Sequence, residues 1–219
     1  MTKNYQCTPD SLSPWLDVAL QEDRVGFDTE VSSLDLDNFD FAGFSLYIPS
    51  KDVALYVPLY HGDHRDRLTQ EQVGKIKDLK VVTFNGGFDL YRWERKYGWT
   101  PEVVGDASVA AKMLQLHKFS LKDTSAEAFP SRDLIRIEDV LEEGNYDFTK
   151  APLDQKTVDY ACQDAELAVK LLDWMLEKHL DRSVHINWDF LFQLELDQLL
   201  ILERAGYSGL RVNRETFES

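Results

Sequence analysis

Asp28 and Glu30 stand one residue apart at the end of the apolar approach Val25-Gly26-Phe27. Side chains alternate along a strand, so both carboxylates face the same side of a sheet, about 7 Å apart along the backbone. In apolar surroundings they repel: at an effective dielectric near 20, a carboxylate pair about 6 Å apart costs roughly 3 kcal/mol. Two arrangements relieve that cost, basic side chains supplied from elsewhere in the chain or a divalent cation held between the acids. In Asn85-Gly86-Gly87-Phe88-Asp89 the paired glycines let the backbone turn sharply and let another molecule approach, and Asp89 then enters a helix. Alone, that stretch is an ordinary strand-to-helix turn with Asn85 or Asp89 as its cap. In Tyr160-Ala161-Cys162-Gln163-Asp164 the tyrosine and the aspartate lie one helical turn apart on one face, a pattern that in isolation reads as a surface pair. Leu34, at a turn after Glu30, is an exposed leucine of a kind that needs no explanation by itself. Taken together, Asp28, Glu30, Asp89 and Asp164 would repel prohibitively without cations, and an all-oxygen donor set with room for water selects Mg²⁺ or Mn²⁺. Two such ions roughly 4 Å apart activate a water and stabilise the leaving oxygen in phosphodiester cleavage. Hydrolysis of a nucleic-acid end is the chemistry this set suits.

The elements that must carry these residues are legible in outline. Ser11 and Ser13 before Pro14 and an apolar run predict a short serine-capped helix. Strands are predicted over 41–48 and 52–58, separated by Pro49-Ser50-Lys51, so that with the Asp28 strand they form an antiparallel meander. The polar stretch His61 to Arg67 has metal-type residues but nothing to fix their geometry, and is read as a solvated loop. Thr69 caps a helix running to about residue 78. A strand over 79–84, a helix over 88–97 closed by Gly98, a strand over 102–105 and a helix over 106–115 capped by Asp106 follow. This alternation predicts an α/β layer fold whose later strands pair in parallel. Residues 129–150 receive no assignment beyond a connection. A long helix over 153–180 carries Tyr160 and Asp164, and a second amphipathic helix over 187–205 is expected to stop at Gly206.

Composition sets the outer bounds. The 219 residues have the apolar content for a proper core and no run long enough to span a bilayer. The two cysteines, Cys7 and Cys162, suit neither a disulfide framework nor a zinc site, and the first ten residues have no secretory core; a reducing, cytoplasmic compartment is expected, with no membrane partner. A net charge of −15 argues against tight sequence-blind binding along a duplex, but not against an enzyme that grips a few nucleotides through metals.

Phe27-Asp28-Thr29-Glu30, Asn85-x-x-Phe88-Asp89 and Tyr160-x-x-x-Asp164 resemble the three exonuclease motifs of the tyrosine-type branch of the DEDD superfamily. The histidine branch places its histidine where this chain has Asp159. The nearest likeness is to the 3′-to-5′ proofreading domain of family A DNA polymerases, the bacterial and phage DNA polymerase I type. The resemblance implies a ribonuclease H-like fold, a mixed central sheet with an antiparallel meander flanked by helices, and two Mg²⁺ or Mn²⁺ ions. It implies that Asp28, Glu30 and Asp164 hold the first metal, that Asp28 bridges to the second, and that Asp89 assists directly or through water. Tyr160 would orient the attacking water. Among the substrate-side residues Thr29, Leu34, Asn85 and Phe88, Leu34 would match the wedge against the terminal base and Asn85 a contact to the strand. Residues 1–186 would be the exonuclease domain, and 187–219 a helical extension resembling the start of a polymerase domain, with Tyr207-Ser208-Gly209 about two residues longer than the usual turn. No polymerase palm fits in that remainder. The chain therefore reads either as a fragment of a polymerase or as an exonuclease that docks on a separate polymerase chain, acting on single-stranded DNA 3′ ends. A ribonuclease D-like exoribonuclease and a non-catalytic interaction module are the competing readings.

Overall fold

The computed structural model describes residues 2–65, 67–118, 120–142, 144–178 and 187–209. Its elements in order are β1 (Lys3–Gln6), α1 (Pro9–Ala19), β2 (Val25–Val31), β3 (Phe41–Ile48), β4 (Val53–Pro58), α2 (Gln70–Lys77), β5 (Lys80–Thr83), α3 (Gly86–Tyr97), β6 (Glu102–Asp106), α4 (Ala107–Met113), α5 (Leu121–Ala128), α6 (Gln155–Lys178) and α7 (Trp188–Ser208). Among the described residues the strands form one six-stranded sheet in the order β1-β4-β3-β2-β5-β6. β2, β3 and β4 are the expected antiparallel meander, with Asp28 opposite Ser45 and Glu30 opposite Gly43. β5 pairs with β2 and β6 with β5, both in parallel, which makes the sheet mixed.

Strand alternation divides the core in two. Phe27, Phe44, Leu46 and Leu55 point to one face, where Leu12 and Leu16 of α1, Ile76 of α2 and Trp93 of α3 cover them. The opposite face, with Ala54, Tyr56 and Val82, lies under α4 and α6. At Gly26 an added Cβ would stand 2.0 Å from the main-chain oxygen of Ala165, so α6 rests on β2 backbone to backbone. The alanines Ala161, Ala165 and Ala168 on that side of α6 are fully buried and allow the approach. Asp164, next to that contact, is thereby delivered to the strand that bears Asp28.

Several elements depart from expectation. α1 begins earlier than a serine cap would place it, capped in position by Thr8, and Pro14 lies inside it. β1, a short strand parallel to β4 at the sheet edge, was not anticipated; three of its four residues are exposed, so it carries no apolar pattern. α5 was likewise unassigned, although Ser120 accepts a hydrogen bond from the Asp123 amide at 3.1 Å as its cap. Within 129–150 the structure has short 3₁₀ turns at Ile137–Asp139 and Phe148–Lys150. α7 runs through Gly206 and ends at Ser208, capped by Gly209, whose φ of 66° is a backbone conformation that favours glycine. His61, expected in a solvated loop, is wholly buried: it lies 2.8 Å from the Tyr56 hydroxyl through Nδ1 and 2.8 Å from the Ala151 carbonyl through Nε2. The expected end of α6 at 179–180 and the segment after residue 209 lie outside the described residues.

Candidate active site

β2 sends Phe27, Thr29 and Val31 into one face of the sheet and Asp28 and Glu30 toward the face covered by α6. Asp164 meets them there, and one oxygen from each of Asp28, Glu30 and Asp164 lies within 4.8 Å of the others. Asp89, on the first turn of α3, takes a different place. It accepts hydrogen bonds from the Thr29 amide at 3.1 Å and from the Thr29 hydroxyl, reaching β2 at the residue between the two acids.

The electrostatics follow from this crowding. Burial, together with the charges of Asp89, Glu30 and Asp164, holds the Asp28 carboxyl well above the usual carboxylate range. Glu30 is raised in the same way by burial and by Asp164 and Asp89. Asp89 is pushed up to about 7 by burial, against the opposing hydrogen bonds from Thr29 and the charge of Arg92. Asp164 is raised by burial, with Lys122 and the Tyr160 hydroxyl acting the other way. Tyr160 itself is pushed well above its ordinary value by burial and by the surrounding carboxylates, so it stays a neutral phenol. Its ring, only 9% exposed, packs against Phe148 at 5.7 Å between centroids and is no surface feature.

Two residues of this site, Lys122 and Arg92, were not singled out from sequence, and a third, Asp106, was expected only as a helix cap, which it is. Lys122 of α5 directs its ammonium onto Asp164 and onto Gln163 Oε1 at 2.9 Å, and lies 5.0 Å from the Tyr160 ring centroid. The Ser120-x-x-Asp123 cap signature would have located its helix. Arg92, 3% exposed, donates to the Leu34 carbonyl at 2.6 Å and lies 3.5 Å over the Phe88 ring, tying two expected substrate-side residues together. Leu34 remains 54% exposed at the far side of that tie. Asp106 is completely buried; its Oδ2 accepts from Thr83 Oγ1 and the Gly86 amide, both at 2.7 Å, and its Oδ1 accepts from the Ser108 and Val109 amides at 2.9 and 3.0 Å. It therefore pins the turn that carries Asn85. Asn85 is exposed and left-handed at φ 62°, with no side-chain capping bond, which leaves its amide group facing outward from the start of α3.

The acid pair has a basic side chain nearby and an oxygen donor set for a cation. Lys122 meets the cluster at Asp164 and the charge of Arg92 acts on Asp89, and two positive charges do not neutralise four acids. The three converging oxygens form a hard, all-oxygen donor set of the kind Mg²⁺ and Mn²⁺ take. Asp28, Glu30 and Asp164 fit as the residues that would hold such an ion.

Comparison with curated proteins finds no match to this chain. Among solved structures, NrnC of Brucella melitensis bound to pGG superimposes with a TM-score of 0.71 at 17% identity, covering 95% of each chain. Escherichia coli RNase D, an exoribonuclease involved in structured RNA processing, gives a TM-score of 0.67 at 14% identity over 94% of this chain and 51% of its own. The polymerase Pol1 of M. smegmatis gives 0.57 at 16% identity over 91% of this chain and 29% of its own. These likenesses establish the ribonuclease H-like fold. A family profile described as 3′-5′ exonuclease, of the DNA polymerase A type, matches residues 6–180. With that match spanning both β2 and α6, the chain belongs to the 3′-5′ exonuclease family of family A DNA polymerases.

Proposed function

We propose that this protein removes nucleotides from the 3′ end of single-stranded or frayed DNA in a divalent-metal-dependent reaction, with a role in editing during replication. The observation that carries the reading is the meeting of Asp28, Glu30 and Asp164 oxygens within 4.8 Å of one another in a family of 3′-5′ exonucleases. In this reading Asp28, Glu30 and Asp164 hold the metal, and Asp89 steadies the strand between them through Thr29 and supplies a further carboxylate. Bound Mg²⁺ or Mn²⁺ would supply Lewis-acid activation of water and charge neutralisation at the leaving oxygen. Tyr160, kept neutral, offers its hydroxyl to orient the attacking water. Leu34 packs on the terminal base, Asn85 and Phe88 line the strand, and Thr29, expected beside them, is buried with its hydroxyl on Asp89 and positions that acid instead. Residues 1–186 form the catalytic domain, and α7 begins the junction toward a polymerase, on this chain or on another.

RNA is the second reading. It is favoured by the fold likeness to RNase D and to NrnC, which matches over 95% of both chains. Matched DNA and RNA oligonucleotides labelled at the 5′ end, incubated with Mg²⁺, with Mn²⁺ and with EDTA beside Asp28→Ala, test both. The expected result is a ladder shortening from the 3′ end of DNA that EDTA and the substitution erase. A ladder on RNA alone transfers the function to the second reading, and full activity in Asp28→Ala sinks the metal mechanism.

A further inference from the structure

Cations are scarce on this chain, 24 lysines and arginines against 39 acids, yet several gather at one pocket away from the acid cluster. The pocket has a volume of about 590 Å³ and lies between the start of β3, the segment leading from β4 to α2, and the last turn of α3. Leu59, Leu68 and Tyr97 give it apolar walls, and Arg65, Arg67 and Lys96 line it against a single described acid, Asp40. The guanidinium of Arg65 lies 3.9 Å from the Tyr60 ring centroid and is braced from behind by the carbonyls of Gly62 at 2.7 Å and His64 at 2.6 Å. Among the described residues neither Arg65 nor Arg67 forms an ion pair, whereas Lys96 stands 3.9 Å from Asp40.

A cation braced by main-chain carbonyls, beside two others and above an aromatic and aliphatic cavity, has the form of a site for a ligand with one anionic and one flat apolar part. The volume falls in the range of small-molecule pockets. Arginine takes phosphate oxygens in fork geometry, and aromatic rings stack on any base. We propose that this pocket is a second nucleotide-binding site, in which Arg65, Arg67 and Lys96 take a phosphate while Tyr60, Tyr97 and the leucines take the base. The nucleotide is either a unit of the substrate strand upstream of the scissile end or a free nucleoside monophosphate. The strand as source rests on the exonuclease reading.

The test is binding in EDTA, where the metal reaction is off. Anisotropy of a labelled single-stranded 12-mer and calorimetry with 5′-dTMP are compared for the wild type, Arg65→Glu/Arg67→Glu and Lys96→Glu, all three substituted side chains being solvent-exposed and the folding of each variant checked by circular dichroism. The expected result is at least tenfold weaker binding in both variants and a flatter dependence on salt, as lost phosphate contacts require. Loss of both ligands identifies a free-nucleotide site, and loss of the 12-mer alone identifies the strand. Wild-type affinity and salt slope in both variants, or no binding of either ligand by the wild type, overturns the proposal. Shortening of the same 12-mer by the wild type in Mg²⁺ is scored separately. Unchanged binding with normal shortening overturns the pocket alone, and pocket-dependent binding without shortening overturns the exonuclease reading alone.

Discussion

At the scale of single residues, the acids are held in a state that favours the proton, and this has a sign. Asp28, Glu30, Asp89 and Asp164 all have carboxyls raised in the folded protein, Asp89 to about 7. As pH rises above the ordinary carboxylate range the unfolded chain has already released these protons and the folded chain must still do so, so stability falls up to and through the raised values. Glu166 and Asp52, which are lowered, act the opposite way at more acid pH, and His61, lowered by burial, opposes the four acids in part as pH falls through the ordinary histidine range. The metal-free protein is therefore expected to melt at a higher temperature at pH 5.5 than at pH 8, and saturating Mn²⁺ at pH 8 is expected to close the gap; thermal scans in EDTA and in Mn²⁺ check this. Asp28→Asn should raise the pH 8 melting temperature in EDTA while abolishing cleavage. Lys122→Met removes the ammonium bonded to Asp164 and Gln163, a charged hydrogen-bond group worth on the order of 1–3 kcal/mol, and urea unfolding in EDTA should show that loss, with Lys122→Arg retaining most of it. The acids were legible because strand alternation and the helical turn are local rules. Lys122, Arg92 and His61 were not, because Asp164, Leu34 and Ala151, which they reach, lie on segments remote in sequence.

At the scale of elements, the site depends on how closely α6 can lie on β2. Gly26→Ala would place a methyl group 2.0 Å from the Ala165 oxygen, and neither main chain can yield without moving Asp164 and Tyr160. A cost of about 1–3 kcal/mol or more is expected from such overpacking, with cleavage falling further than stability; melting temperature and cleavage rate of the same preparation check it. Gly74→Ala is the matching control, since nothing lies within 4 Å of its added Cβ, and removing a glycine from a helix interior should stabilise α2 by roughly 0.5–1 kcal/mol. The meander, the parallel strands after it and α6 were readable because each has a strong period or a capping residue. β1 is short and mostly exposed, and α1 begins at Pro9, before the serines and with no side-chain capping bond to mark its start, so local pattern had little to report there.

At the scale of the whole molecule, a net charge of −15 makes any hold on a nucleic acid a matter of where the few cations stand. Association with an oligonucleotide is expected to weaken with added NaCl by a shallow slope of about two to three released counterions, matching the three pocket cations; anisotropy across a salt series measures it. α7 is joined to the catalytic layers through Arg204 and Glu94, with Nε to Oε2 at 2.9 Å, and through the rings of Tyr91 and Tyr207 at 5.9 Å. Its outward side leaves Phe190, Ile201 and Leu202 exposed, while Leu196 is buried. No described helix is long and apolar enough to cross a membrane.

The main-chain contact at Gly26 gives the molecule two halves of unequal freedom. The spacing of Asp28 and Asp164 is set by main chain resting on main chain, as an anvil is fixed to its block, and only a side chain added at the contact itself, as in Gly26→Ala, would disturb it. Leu34 and Phe88, by contrast, are held by one arginine side chain. On the proposed function, substrate preference would be the replaceable tool, open to change through residues 32–40 and position 92, while the acid cluster stays where the backbone has set it.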